Sequence, residues 1–168
     1  MSLLVKTCCF LPQMNQFIGE YEVTLDAKGR FLVPVAFKKQ LAADTANQFV
    51  ICRGIEKCLT LYPLQTWEPL YEDLRKLNQF DPKVREFRRR FLNGATPIEL
   101  DNAGRMLLPK SLIEYAGLGK DIVLASAVNQ IEIWDANKYK QLFDASSAED
   151  FSVLADEVMN KKKNAGDE

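Results

Sequence analysis

Histidine is absent from the 168 residues. Its absence excludes Ser–His and Cys–His nucleophiles and every histidine-ligated metal. Cysteine is sparse: Cys8 and Cys9 are adjacent, and Cys52 and Cys58 flank an expected hairpin. That spacing suits neither a zinc ribbon nor a disulfide framework, so the expectation is free thiols in the cytosol. No apolar run approaches the roughly 20 residues that a bilayer-spanning helix needs, which argues against a membrane partner. No glycine-rich phosphate loop of the Walker or Rossmann kind occurs. Without these elements an enzyme has no visible chemistry, and neither a cofactor, a metal nor a small-molecule substrate is expected. Net charge is scarce too, at −1. It is unevenly spread: residues 144–168 hold seven acids against Lys161, Lys162 and Lys163, a net of −4, which leaves +3 on the rest. The total therefore decides nothing about nucleic acid, and local charge must.

What the chain does have is a nine-residue pattern used twice. Asp26-Ala27-Lys28-Gly29-Arg30-Phe31-Leu32-Val33-Pro34 returns as Asp101-Asn102-Ala103-Gly104-Arg105-Met106-Leu107-Leu108-Pro109, 75 positions on. Asp at the first turn position and Gly at the fourth specify a type I turn closed by a left-handed glycine, as in a three-residue hairpin loop. The aspartate hydrogen-bonds loop amides, and glycine takes positive φ cheaply. Upstream, Tyr21-Glu22-Val23-Thr24-Leu25 alternates as a half-buried strand does, and Phe31-Leu32-Val33 is a second strand. Pro34 ends it and suits the first turn of a helix over 35–41, whose counterpart covers 110–116. A second hairpin follows, Phe49 to Cys52 with Leu59 to Tyr62. It repeats as Ile122 to Ala125 with Ile131 to Trp134, at an offset of 72. Each half closes with a helix, carrying Trp67, Leu70, Tyr71, Leu74 and Leu77 in the first and spanning about 137–143 in the second.

The halves are thus ββαββα units that leave open sheet edges, which the duplicate can cover. The expected fold is α+β and β-rich, with the repeats interleaved about a pseudo-two-fold axis as one small barrel with peripheral helices. The organisation reads as a disordered leader over 1–15 with Met14 as the original start, a first repeat over 16–80, a linking helix over 81–94, a second repeat over 95–144, and a tail over 145–168. In the linker, Asp81 is the N-cap, Pro82 the first helical residue and Asn93-Gly94 the stop, with Val84, Phe87, Phe91 and Leu92 as the buried stripe. The tail reads as a helix from Ser147 with Phe151, Leu154, Ala155 and Val158 on one face, disordered from Lys161.

Chemistry centres on Arg30 and Arg105, each placed at the rim of a tight turn, with Lys28 inside the first loop. Two readings compete. Each arginine can pair with its own turn aspartate, Asp26 or Asp101, and only fix the loop. Alternatively, two arginine-bearing loops on one face suit phosphates or guanine edges, and the duplication favours this. Lys83, Arg85, Arg88, Arg89 and Arg90 are opposed within the linker helix by Glu86 alone. They read as a solvated face or a subunit contact rather than a phosphate track. Trp67, Tyr71 and Trp134 fall at core or helix-packing spacing, not as a base-stacking platform.

The two Asp-x-x-Gly-Arg turns, the segment Arg90-Phe91-Leu92-Asn93-Gly94-Ala95 and the strand end Ile131-Glu132-Ile133-Trp134-Asp135 resemble the bacterial MraZ family, over residues 16 to 144. The resemblance implies two fused SpoVT-AbrB-type DNA-binding units with a swapped-hairpin fold. It implies a transcriptional regulator, cytoplasmic and at the nucleoid, that binds short direct repeats in double-stranded DNA. Such proteins usually repress their own division and cell-wall gene cluster and assemble as homo-oligomeric rings. The family's DNA contacts fall on Lys28, Arg30 and Arg105, with Asp26, Gly29, Asp101 and Gly104 building the turns. Ser126 departs from the family's usual glycine. The alternative function is an AbrB-type, antitoxin-like module that captures a protein partner through the acidic tail.

Overall fold

The structure is a computed structural model that describes residues 17–41 and 47–164. The expected leader, with Cys8, Cys9 and Met14, lies outside the described residues. The chain divides into two compact units, residues 1–135 and 136–168.

Among the described residues the first unit carries eight strands: β1 (Glu20–Thr24), β2 (Arg30–Leu32), β3 (Gln48–Arg53), β4 (Leu59–Pro63), β5 (Thr96–Glu99), β6 (Arg105–Leu107), β7 (Asp121–Ala127) and β8 (Gln130–Asp135). Four described helices join them: α1 (Val35–Lys38), α2 (Leu64–Lys76), α3 (Pro82–Phe91) and α4 (Lys110–Ala116). Six strands form one sheet in the order β1-β7-β8-β4-β3-β5, and β2 pairs with β6 as a separate two-stranded ribbon. All pairings are antiparallel.

This order reads the same from either end once each strand is exchanged for its repeat mate, so the halves are interleaved. The expected hairpin between β1 and β2 is not formed as a ladder: β1 pairs with β7 and β2 with β6, each strand finding its partner in the other repeat. β5 likewise goes to β3, leaving one isolated bridge, Leu100 to Met106, beside its turn. The pseudo-two-fold passes through Phe31 facing Met106 and Thr60 facing Glu132, where each residue meets its own mate. The barrel expected from the sequence is not closed among the described residues. β1 and β5 stand at the two ends of the sheet, because the chain leaves each of them to enter the ribbon. Register also corrects the second-hairpin offset. Val23 faces Ile122 as Ile98 faces Phe49, which sets β7 73 positions after β3, while β8 stays 72 after β4.

The main core lies between sheet and ribbon: Phe31, Phe37, Ile51, Leu61, Met106, Leu112, Ile122 and Ile133 are among its buried members. Both halves contribute matching positions, as a two-fold requires. A smaller cluster joins Val50, Cys52, Tyr62 and Trp67 with Phe91 and Leu92 packed against it. Cys52 and Cys58 are free and buried, and loss of water pushes both thiols up to about 12.

Pro34 and Pro109 are the N-caps of α1 and α4, which start at Val35 and Lys110 as expected. α1 is shorter than the predicted 35–41, because the next amides turn back three residues (Gln40 N to Phe37 O, Leu41 N to Lys38 O). Asp81 caps α3 as expected, accepting from Lys83 N at 2.8 Å, with Pro82 first in the helix. Its apolar stripe is not buried: Phe87 is 50% exposed, and Val84, Phe91 and Leu92 are only half-buried. Tyr71 is also 45% exposed, although it stacks on buried Trp67.

Arg88 explains much of the basic helix. Its Nε donates to Leu74 O at 2.8 Å and its Nη2 to Leu77 O at 2.7 Å and Arg75 O at 3.1 Å, so it caps the end of α2. Arg85 donates to Gln79 and Phe80 carbonyls in the intervening turn, and Arg90 pairs with Glu86. The run was expected to be a wet face or a subunit contact; two of its arginines instead close the α2–α3 connection. Ser126 Oγ is buried without a hydrogen-bond partner among the described residues.

The second unit holds α5 (Ala136–Asp144), the helix expected to close the second repeat, and α6 (Ala148–Asn164). Ser147 and Asp150 cap α6 reciprocally: Asp150 N donates to Ser147 Oγ at 3.1 Å and Ser147 N to Asp150 Oδ2 at 3.0 Å. α6 continues through Asn164, past Lys161 where disorder was expected; residues 165–168 lie outside the described residues. Of its predicted stripe, Phe151, Leu154 and Val158 are exposed. No described helix is long and apolar enough to cross a membrane.

Candidate nucleic-acid interface

Both Asp-x-x-Gly-Arg turns fold alike from their own residues. Asp26 N donates to Arg30 O and Gly29 N to Asp26 O; Asp101 N donates to Arg105 O and Gly104 N to Asp101 O. Gly29 has φ +79° and Gly104 φ +75°, the left-handed conformation for which glycine was expected. The turns are also tied across the pseudo-two-fold. Val33 N donates to Gly104 O and Leu108 N to Gly29 O, so each glycine carbonyl is held by the other repeat.

The aspartates organise the loops through two oxygens each. Asp26 Oδ1 accepts from Lys28 N and Arg30 N, both at 2.9 Å; Asp101 Oδ1 accepts from Ala103 N at 2.9 Å and Arg105 N at 2.8 Å. The second oxygen takes the arginine: Arg30 reaches Asp26 Oδ2 through Nε at 2.8 Å and Nη2 at 2.7 Å, and Arg105 reaches Asp101 Oδ2 through Nε at 2.8 Å. The Arg30 backbone N–H, and next its guanidinium, hold the Asp26 carboxyl at about 2; the Arg105 backbone N–H leads the same lowering at Asp101.

The arginines are therefore not loose side chains, as the freely reaching role would have them. The pairing expected as the merely structural alternative is present at both turns. It does not exhaust them, because a guanidinium carries five N–H donors and Asp26 engages two of Arg30's. The ion pair fixes the plane of each fork and leaves its other edge to an outside acceptor.

Strand alternation sets the direction. In the ribbon, Arg30 faces Leu107 and Leu32 faces Arg105, while Phe31 faces Met106. Phe31 and Met106 are buried, at 2% and 0% exposure. Arg30, Leu32, Arg105 and Leu107 consequently share the outer face, with Leu32 and Leu107 60% and 54% exposed between the arginines. The structure thus brings Arg30 and Arg105 together as diagonal neighbours about 8 Å apart on one ribbon. Lys28 is exposed in the first loop and forms no ion pair among the described residues; the second loop has Ala103 at that position. The two outward leucines were not singled out in the sequence, where each apolar triplet after the arginine read only as a short strand with no face assigned. The period-2 rule applied from arginine outward would have found them.

The MraZ family model, described as "MraZ protein, putative antitoxin-like", matches residues 16–90 and again 91–161. Named relatives agree. The "Transcriptional regulator MraZ" of Christiangramia forsetii is 48% identical over 147 residues, covering 87% of this chain and 94% of that protein. Its namesake in Flavobacterium psychrophilum is 46% identical over 147 residues, covering 87% and 93%. That of Cytophaga hutchinsonii is 37% identical over 150 residues, covering 89% and 99%. A duplicated turn, a strand order that maps onto itself and a family match on both segments lead to one conclusion: the chain belongs to the MraZ family.

Proposed function

We propose that the chain is a transcriptional regulator that binds double-stranded DNA through the outer face of the β2–β6 ribbon and its two turns, with Lys28, Arg30 and Arg105 making the contacts. The observation that supports it most is the placement of Arg30 and Arg105 on one exposed ribbon face, each oriented by a carboxylate. Two-stranded ribbons are of a size to enter the major groove, and an oriented guanidinium suits a phosphate or the O6/N7 edge of guanine. Relatives bearing the name of a transcriptional regulator support the same reading.

One such face is small, and the whole chain carries a net charge of −1. Several subunits in a ring, engaging several short direct repeats, would raise avidity by about 10² to 10⁴ over one contact. Repression of the chain's own division and cell-wall cluster, at the nucleoid in the cytoplasm and without a cofactor, completes the reading. Arg30→Ala should weaken a gel shift on the DNA upstream of the chain's own reading frame by at least tenfold, without changing the size of the assembly. A mutant that shifts this DNA like wild type would overturn the assignment.

A second reading draws on α6, whose Phe151, Leu154 and Val158 are 71%, 56% and 57% exposed. An antitoxin-like module would use this apolar helix to hold a protein. Removing residues 145–168 should then abolish partner capture while leaving the gel shift unchanged.

A further inference from the structure

The two turns are unequal in charge, and the inequality is corrected in space. In the first, Asp26 and Arg30 offset each other and Lys28 leaves a net positive charge. In the second, Asp101 and Arg105 offset each other and the loop between them, Asn102-Ala103-Gly104, supplies no cation. A neutral turn is a poor partner for a phosphate.

The structure assigns the missing cation to Lys38, the last residue of α1 in the opposite repeat; this rests on the DNA-binding reading of the turns. A Cβ built on Gly104 would collide with Lys38 Nζ and lie 3.2 Å from its Cε, so the ammonium sits directly on the second turn. Lys38 is half-buried and forms no ion pair among the described residues. Its repeat mate, 75 positions on, is Ile113, whose Cδ1 would lie 2.8 Å from a Cβ on Gly29. The same seat over the turn glycine is therefore apolar at the first turn, where Lys28 is in the loop, and cationic at the second, where the loop lysine is lacking. Lys28 with Arg30 and Lys38 with Arg105 give both turns one unneutralised cation beside one oriented guanidinium. Lys38 is thus a DNA-contacting residue of the second turn, contributed by a helix 63 residues before Asp101.

The test is titration of upstream DNA across a salt series with wild type, Lys38→Ile, Lys38→Arg and Arg30→Ala. Lys38→Ile copies the residue that occupies the mated seat, so the turn keeps its packing. It should bind about eightfold more weakly per engaged subunit at 0.1 M salt, with the slope of log K against log salt shallower by about 0.9 for each. Lys38→Arg should stay within about twofold of wild type. In parallel, wild type labelled with an amine-reactive reagent should lose reactivity at both Lys28 and Lys38 when DNA is added, a measurement that needs no variant to fold. Lys38→Ile with wild-type affinity and slope, or Lys38 fully reactive while Lys28 is protected, would overturn the assignment and leave the turns intact. Arg30→Ala binding like wild type would overturn the reading of the turns, and this inference with it.

Discussion

Replacing Arg88 by alanine should destabilise the fold without touching the proposed DNA-binding face. α2 ends at Lys76 with Leu77 as an extended C-cap, so its last carbonyls have no helical donors. Arg88 covers three of these oxygens from α3, at 2.7, 2.8 and 3.1 Å. A neutral hydrogen bond contributes about 0.5–1.5 kcal/mol net and a charged one more, but carbonyls this near the surface regain water when the donor is lost. A cation at a helix C-terminus adds about 0.3–1 kcal/mol. Together the loss should be about 2 kcal/mol, or about 4–8 °C in Tm for a chain of this length. Thermal unfolding at fixed protein concentration, followed by tryptophan fluorescence, reads it, since Trp67 stacks on Phe91 of α3 at 6.0 Å. Arg88→Lys should recover less than half, because one ammonium cannot reproduce a planar fork over three acceptors. Arg89→Ala is the control: Arg89 is exposed and should change stability by less than about 0.5 kcal/mol. If Arg88→Ala falls within 0.5 kcal/mol of that control, the capping argument is wrong.

Two further outcomes follow from single groups. Ser126→Ala should leave stability unchanged or raise it by about 1 kcal/mol, because it removes a buried hydroxyl that has no partner among the described residues; a loss beyond 0.5 kcal/mol in urea unfolding would refute this. Asp26 has its carboxyl lowered from 3.8 to about 2, so its contribution is fully present above the ordinary value and is lost as the pH falls through about 2. The stability difference between wild type and Asp26→Asn should accordingly be level above about pH 5 and shrink between pH 4 and 2; a level difference down to pH 2 would show that the carboxylate is not held there.

The repeat, the turns and the strands were legible because their signals are local. Asp26 and Gly29 dictate a turn whatever surrounds them, and the alternation at Tyr21 and Val23 marks a half-buried strand by itself. The partner of each strand was less so. Nothing in Tyr21 to Thr24 indicates that β1 pairs with β7 rather than with the neighbouring β2, and a turn competent for a hairpin suggested the neighbour. Burial of the linker stripe was overestimated because the 3.6-residue period of Val84, Phe87 and Phe91 identifies a face, not the amount of protein available to cover it. Arg88 was hidden for a related reason. A charged run on a helix looks wet until the ends of other elements are placed beside it. At the candidate site the residue types were evident, but their pairing was an open choice between Asp26 and an outside acceptor. Lys38 was invisible, since its relation to Gly104 exists only after folding.

The self-mapping strand order has a consequence for synthesis. β1 emerges first and waits for β7, and Glu20 meets Ala125 only after 105 further residues have been made. At about 5–20 residues per second this is a delay of roughly 5–20 s. For most of it β2 has no β6, and β3 and β4, once made, form a hairpin lacking β5 and β8; β1 lacks its β7 partner to the end. The nascent first repeat is in effect half of a dimer tethered to the ribosome, and its open strands match those of a neighbouring nascent chain as well as those still to come. The short connection through α3 makes the correct partner the nearer one, so fusing the two copies in one polypeptide secures pairing in cis.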